Sequence, residues 1–218
     1  MKYAFGSHFT KYNRLIVIHH CQLICDKIIS VLQNNDILFF DDCLYSQYVF
    51  LKQYNNILKE KDIICVLGFS AALHRLDKDN PIYDIESHVI HNKCNQFIKT
   101  YKDVETNYFE ELNGFMHLDE IKELLQEDNI YLACHGSCHL DFRNTTDTNL
   151  VNIIKFKKDL DDAVNLFKFH KLIANIYVYP YAYSLNNLFE PCIKQQNFIY
   201  IFANDKLHGS RISIEDLL

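Results

Sequence analysis

The sequence predicts an α/β fold, a sheet or barrel of buried parallel strands, on three observations. Short runs rich in β-branched and aromatic residues recur along the chain, helix-like stretches separate them, and polar residues gather where the runs end. With 218 residues, 49% of them hydrophobic, the chain holds enough apolar material for one sizeable core, so 1–218 is read as a single domain.

The first run, Leu15 to Ile18, is apolar on both faces, as a buried parallel strand is, and ends in His19-His20. Ile24, Ile28, Ile29 and Leu32 then share one helical face. Ile37 to Phe40 is the second run and ends in Asp41-Asp42, with a helix following at Leu44. Ile63 to Leu67 is the third. From about 70 to 114 the chain is the least strand-like, with Asp77 to Pro81 an evident loop, and is read as an irregular insertion or lid. Ile121, Leu124 and Leu125 form a helical face after the capping-type Asp119, and the fourth run, Ile130 to Ala133, leads to His135. Leu150, Ile153 and Ile154 precede a charged helix that ends near His170. The fifth run, Ile173 to Tyr179, ends in Pro180-Tyr181, and Phe198 to Phe202 is the sixth. Four of six runs therefore end in reactive or special chemistry, and in α/β folds active residues gather at the carboxyl ends of strands.

Several function classes are excluded. The net charge is -6 and the basic residues are scattered, which argues against a nucleic-acid partner. Eight cysteines lie mostly inside apolar runs without a CxxC pair, so they read as buried thiols in a reducing compartment. Cys134 and Cys138 bracket His135, but strand alternation points Cys134 away from it. No signal peptide or run of membrane-spanning length is present, and the expected location is the cytoplasm.

Asp41 and Asp42 can converge on one point only where their strand bends into its loop, because consecutive strand residues face opposite ways. By themselves two acids at a strand end could equally cap the next helix. His135 and His139, at a strand exit, can both reach one ion, although an HxxxH pair among eleven histidines is a weak signal alone. Together the segments supply three ligands for a hydrolytic metal centre and a spare carboxylate to act as base.

These residues resemble a known family. Ile37 to Asp42 is similar to the strand-Asp-Asp motif of the polysaccharide deacetylase (NodB-homology) superfamily, and His135 to His139 to its HxxxH motif. Leu118 to Leu124 and Asn129-Ile130-Tyr131 resemble the helix and strand before those histidines, and Tyr177 to Tyr181 the later strand that ends in Pro-Tyr. The motifs stand in the family's order, and the resemblance spans about Leu15 to Ile214.

The resemblance implies a single-domain distorted (β/α) barrel and hydrolysis of an N-acetyl group on an amino sugar or glycan intermediate in surface polysaccharide biosynthesis. It implies Asp41 as general base, and Asp42, His135 and His139 as ligands of a divalent metal, with zinc foremost. The backbone N–H of Tyr181 is implied as an oxyanion donor. His19 is implied as general acid, as in the branch that carries this histidine near the N-terminus, with His208 the alternative. The chain departs from the pattern at Cys43, where glycine is usual, at Val178, where arginine is common, and in having no tryptophan. Rival readings are hydrolysis of a small non-carbohydrate amide and a sugar-binding protein that keeps the fold without catalysis. Oligomeric state is not legible.

Overall fold

The computed structural model describes residues 14–18, 25–70, 116–140, 142, 146–180, 186–202, 212–214 and 217. Strands form on the apolar runs, β1 Arg14–Ile18, β2 Asp36–Phe40, β3 Ile64–Phe69, β4 Ile130–Cys134, β5 Ile176–Val178 and β6 Tyr200–Phe202, with a short β7 at Ile212–Ser213. The helices are α1 Cys25–Val31, α2 Tyr45–Glu60, α3 Leu118–Leu124, α4 Asn149–Phe169 and α5 Asn186–Gln195. None of the described helices is long and apolar enough to cross a membrane.

All ladders are parallel and the order is β6-β5-β4-β3-β2-β1-β7. A doubly wound sheet reverses its strand order at a switch point. Here each strand from β1 to β6 lies beside its predecessor in the chain, and β7 returns to the free edge of β1, the order of a barrel.

Strand alternation sorts the core into two clusters. Ile16, Ile18, Leu38, Phe40, Cys65, Leu67, Ile130, Leu132 and Tyr177 pack against helix residues such as Ile28, Phe50, Leu58, Ile121, Phe156 and Phe189. Their strand neighbours Leu15, Val17, Ile37, Phe39, Ile64, Val66, Ala133, Ile176 and Val178 form a second cluster without a helix residue. A sheet face buried without helices is covered by its own strands, which makes this cluster the barrel interior. The expected α/β barrel is the observed fold, and among the described residues no ladder joins β6 to β7.

Gly68 lies on the inner face of β3, where a Cβ would come within 2.6 Å of the Phe39 ring. The missing side chain lets Phe39 fill the barrel beneath His135, which it meets edge-on with ring centroids 5.6 Å apart. Outside the barrel Phe156 of α4 stacks on Phe189 of α5 at 4.2 Å and 11°.

Local expectations need small corrections. The N-cap of α3 is His117, whose N–H donates to Glu120 Oε2 at 2.6 Å, and Asp119 lies inside the first turn. The fifth strand is shorter than its apolar run, because Ile173 is 78% exposed ahead of it.

Candidate metal centre

The Asp41-Asp42 turn begins where β2 stops. Asp41–Cys43 form one 3-10 turn in which Asp42 has φ 66° and ψ 2° and Cys43 has φ 47°. On strand parity Asp41 follows Ile37 and Phe39 inward, while the left-handed bend at Asp42 brings the second carboxylate back toward the same point. Left-handed backbone is uncommon for a residue with a side chain, and Cys43 adopts it nonetheless. Cys43 is buried, and burial together with Asp42 and Asp41 pushes its thiol well up.

Gln47, in the first turn of α2, holds this bend. Its Nε2 donates to the carbonyl of Asp41 at 2.7 Å and to that of Ile18 at 3.0 Å, while its Oε1 accepts the Leu44 N–H at 2.9 Å. One fully buried amide therefore ties the end of β1 to the Asp41-Asp42 turn. The Met116 N–H donates to the Cys43 carbonyl at 2.8 Å.

The histidine loop leaves β4. His135 N–H donates to the Phe69 carbonyl at 3.0 Å and the Ser70 hydroxyl donates to the His135 carbonyl at 3.0 Å, which fixes the backbone. His135 Nδ1 lies 2.8 Å from the Val178 carbonyl. A carbonyl only accepts, so Nδ1 carries the proton and Nε2 of the neutral ring presents a lone pair. A partner on the far nitrogen of this kind orients and tunes metal-ligating histidines. Gly136 has φ +80° and His139 φ 51°, and this tight loop turns the second imidazole back onto the first.

The four side chains meet. His135 Nε2 is 3.1 Å from Asp41 Oδ1, His139 Nε2 is 3.4 Å from Asp42 Oδ1, and the two Nε2 atoms are 3.0 Å apart. One donor atom from each of Asp41, Asp42, His135 and His139 falls within 4.8 Å of the others. Metal–ligand bonds of about 2.1 Å give a tetrahedral edge of about 3.4 Å, the scale of these contacts. Asp42 Oδ1 is buried and accepts no hydrogen bond, so it retains a lone pair for a cation. Mixed carboxylate and imidazole donors suit zinc or another first-row divalent ion better than calcium or magnesium, which prefer all-oxygen shells. The donor set fits the ion that the motifs imply.

The cysteines stand outside it. Cys134 points into the helix-covered cluster, where burial pushes its thiol up to about 12, and the exposed Cys138 is raised as well, chiefly by desolvation. His19, His20, Tyr181 and His208 lie outside the described residues. Gln47 and Asp159, whose carboxylate accepts the Ser137 and Cys138 N–H groups, carry no motif signal. Asp159 is hidden among Lys157, Lys158, Asp161 and Asp162, a pattern that reads as a solvated helix face.

No known family's sequence profile matches the chain, and no curated protein matches it. Solved structures do. The BpsB deacetylase domain from Bordetella bronchiseptica matches with a TM-score of 0.58 at 12% identity, over 92% of this chain and 94% of that one. A de-N-acetylase from Aggregatibacter actinomycetemcomitans matches with a TM-score of 0.56 at 18% identity, over 96% of this chain and 83% of that one. Streptococcus pyogenes deacetylase PplD, solved in complex with acetate, matches with a TM-score of 0.54 at 14% identity, over 94% and 96%. The barrel has the fold of these deacetylases, and in this chain four carboxylate and histidine side chains meet just past its strand ends.

Proposed function

We propose that the chain is a metal-dependent hydrolase that removes the N-acetyl group of an amino sugar, acting on a glycan or glycan intermediate of surface polysaccharide biosynthesis, with 1–218 as one catalytic domain. The observation that carries this reading is the convergence of Asp41, Asp42, His135 and His139 just past the C-terminal ends of β2 and β4. That end is where barrel enzymes place their chemistry. The matched deacetylases, one with acetate bound, support the choice of acyl group.

In this reading Asp42, His135 and His139 hold the divalent ion, with zinc foremost. Bound there, the ion supplies Lewis acidity, which polarises the acetyl carbonyl and acidifies a water. Asp41 takes the proton of the attacking water. His19 protonates the departing amine. It follows Ile18, whose register partner Phe40 immediately precedes Asp41. The backbone N–H of Tyr181 donates to the carbonyl oxygen as negative charge develops on it. Its predecessor Pro180 lies beside Gly136, within 3.7 Å of where a Cβ would stand. The water oxygen bonds to the acyl carbon, the C–N bond breaks, and acetate and a free amine leave.

Acetate release from N-acetylglucosamine oligomers tests the reading. Zinc-loaded wild type is expected to release acetate, a chelator to stop it, and Asp41→Asn to keep the metal while losing about 10²–10⁴-fold in rate. Release that persists in chelator contradicts the metal, and no release from any N-acetylated sugar by loaded enzyme contradicts the carbohydrate substrate.

A further inference from the structure

Asp159 lies within α4, away from both motifs in sequence, and is 8% exposed. Its Oδ2 accepts the Ser137 N–H at 2.9 Å and its Oδ1 accepts the Cys138 N–H at 2.7 Å. Those two successive backbone donors are the middle of the loop between His135 and His139. Consecutive N–H groups in a bend form a concavity that takes an anion, and here a side chain of the protein fills it. No lysine or arginine among the described residues pairs with this carboxylate, and the loop amides are its hydrogen-bond donors.

Gly136 shows how closely the loop is fitted to that carboxylate. A Cβ at 136 would stand 2.7 Å from Asp159 Oδ2, and the φ of +80° is one that side chains rarely adopt. Helix α4 is thereby drawn into the site as well: β2 and β4 supply the donor groups, the Val178 carbonyl at the end of β5 sets the His135 tautomer, and α4 sets the loop.

We propose that Asp159 is a positioning residue, one that holds the His135–His139 loop in its ligating shape whether or not an ion is bound. The inference rests on the reading of the four-residue cluster as a metal centre. Asp159 acts through the Ser137 and Cys138 amides, and its loss frees the backbone between the histidines, so the cost falls on metal affinity and coordination geometry.

Zinc affinity is measured by competition with a chromophoric chelator in wild type, Asp159→Asn and Asp159→Ala, with Asp42→Ala as the control for a destroyed site and thermal unfolding as the control for folding. Asp159→Asn keeps one acceptor and is expected to bind zinc about 10-fold more weakly, and Asp159→Ala about 100-fold, the range seen when outer partners of ligands are removed. The cobalt(II) d–d spectrum of either folded variant is expected to shift. Affinity within twofold of wild type together with an unchanged cobalt spectrum overturns the role of Asp159. Absence of zinc binding by wild type overturns the metal centre itself. Amide exchange in metal-free wild type serves if neither variant folds: protection of Ser137 and Cys138 equal to that of the zinc form is expected, and exchange as fast as in an open loop overturns the preorganised clamp.

Discussion

The two ends of β2 each bury an aspartate, and the protein treats them differently. Asp36, the first residue of the strand, is fully buried and saturated by its own chain: Arg14 Nε donates to Oδ1 at 2.8 Å, and Arg14 Nη2 and the Gln33 N–H donate to Oδ2 at 2.6 and 2.8 Å. Asp42, just past the last residue, has a buried Oδ1 that accepts no hydrogen bond, lies near His139 and shares its turn with Asp41. A buried carboxylate needs a cation or enough donors. At the N-terminal end of the barrel the chain supplies that cation itself, and at the C-terminal end the proposed metal ion would supply it.

Substitutions at the two ends should separate those roles. The largest effect is expected from His135→Ala, which removes a ring oriented by the Val178 carbonyl: acetate release should fall to background and bound metal with it, read by activity and elemental analysis. Arg14→Met should leave Asp36 buried without its cation and lower stability by about 3 kcal/mol in urea unfolding, while the folded fraction still binds metal. Raising the pH should lower stability next. The thiols of Cys43, Cys65 and Cys134 are all pushed up by burial, so they stay protonated in the folded state while unfolded thiols ionise above about pH 8.5. Unfolding titrations should therefore show stability flat through neutral pH and falling above that point, and replacement of Cys65 by Val should shallow the fall. Asp42→Asn in metal-free protein should change stability less than Asp36→Asn, which removes the charge that Arg14 pairs with. The smallest effect is Lys52→Ala, which breaks the exposed pair with Glu123 at 2.7 Å and should leave the urea midpoint indistinguishable from that of wild type.

How much of this was legible follows from the same physics. Strands buried on both faces read as continuous apolar runs, so β1 to β4 were found nearly to the residue. Such runs look alike in an open sheet and in a barrel, and the residues alone left that choice open; strand order and a helix-free inner cluster decide it. Ile173 extends the fifth run in sequence, yet it is exposed, because apolar character does not by itself bring burial. The two-residue β7 has no pattern of its own and exists through its register with Ile16 and Val17. Helix α5 contains Pro191, which argues against a helix locally, yet Phe189 and Ile193 bury its inner face. At the site, Asp41, Asp42, His135 and His139 were legible because their side chains do the converging. Gln47 and Asp159 were not, because each speaks to backbone groups of another element, and such bonds leave no spacing rule in the sequence.

Metal content tests the central claim most directly. Protein purified without a chelator or a metal-affinity tag should carry, by elemental analysis, about one equivalent of divalent metal per chain after exposure to zinc, and Asp42→Ala and His135→Ala should carry none. Wild type that takes up no metal even on reconstitution, or variants that retain a full equivalent, would contradict it.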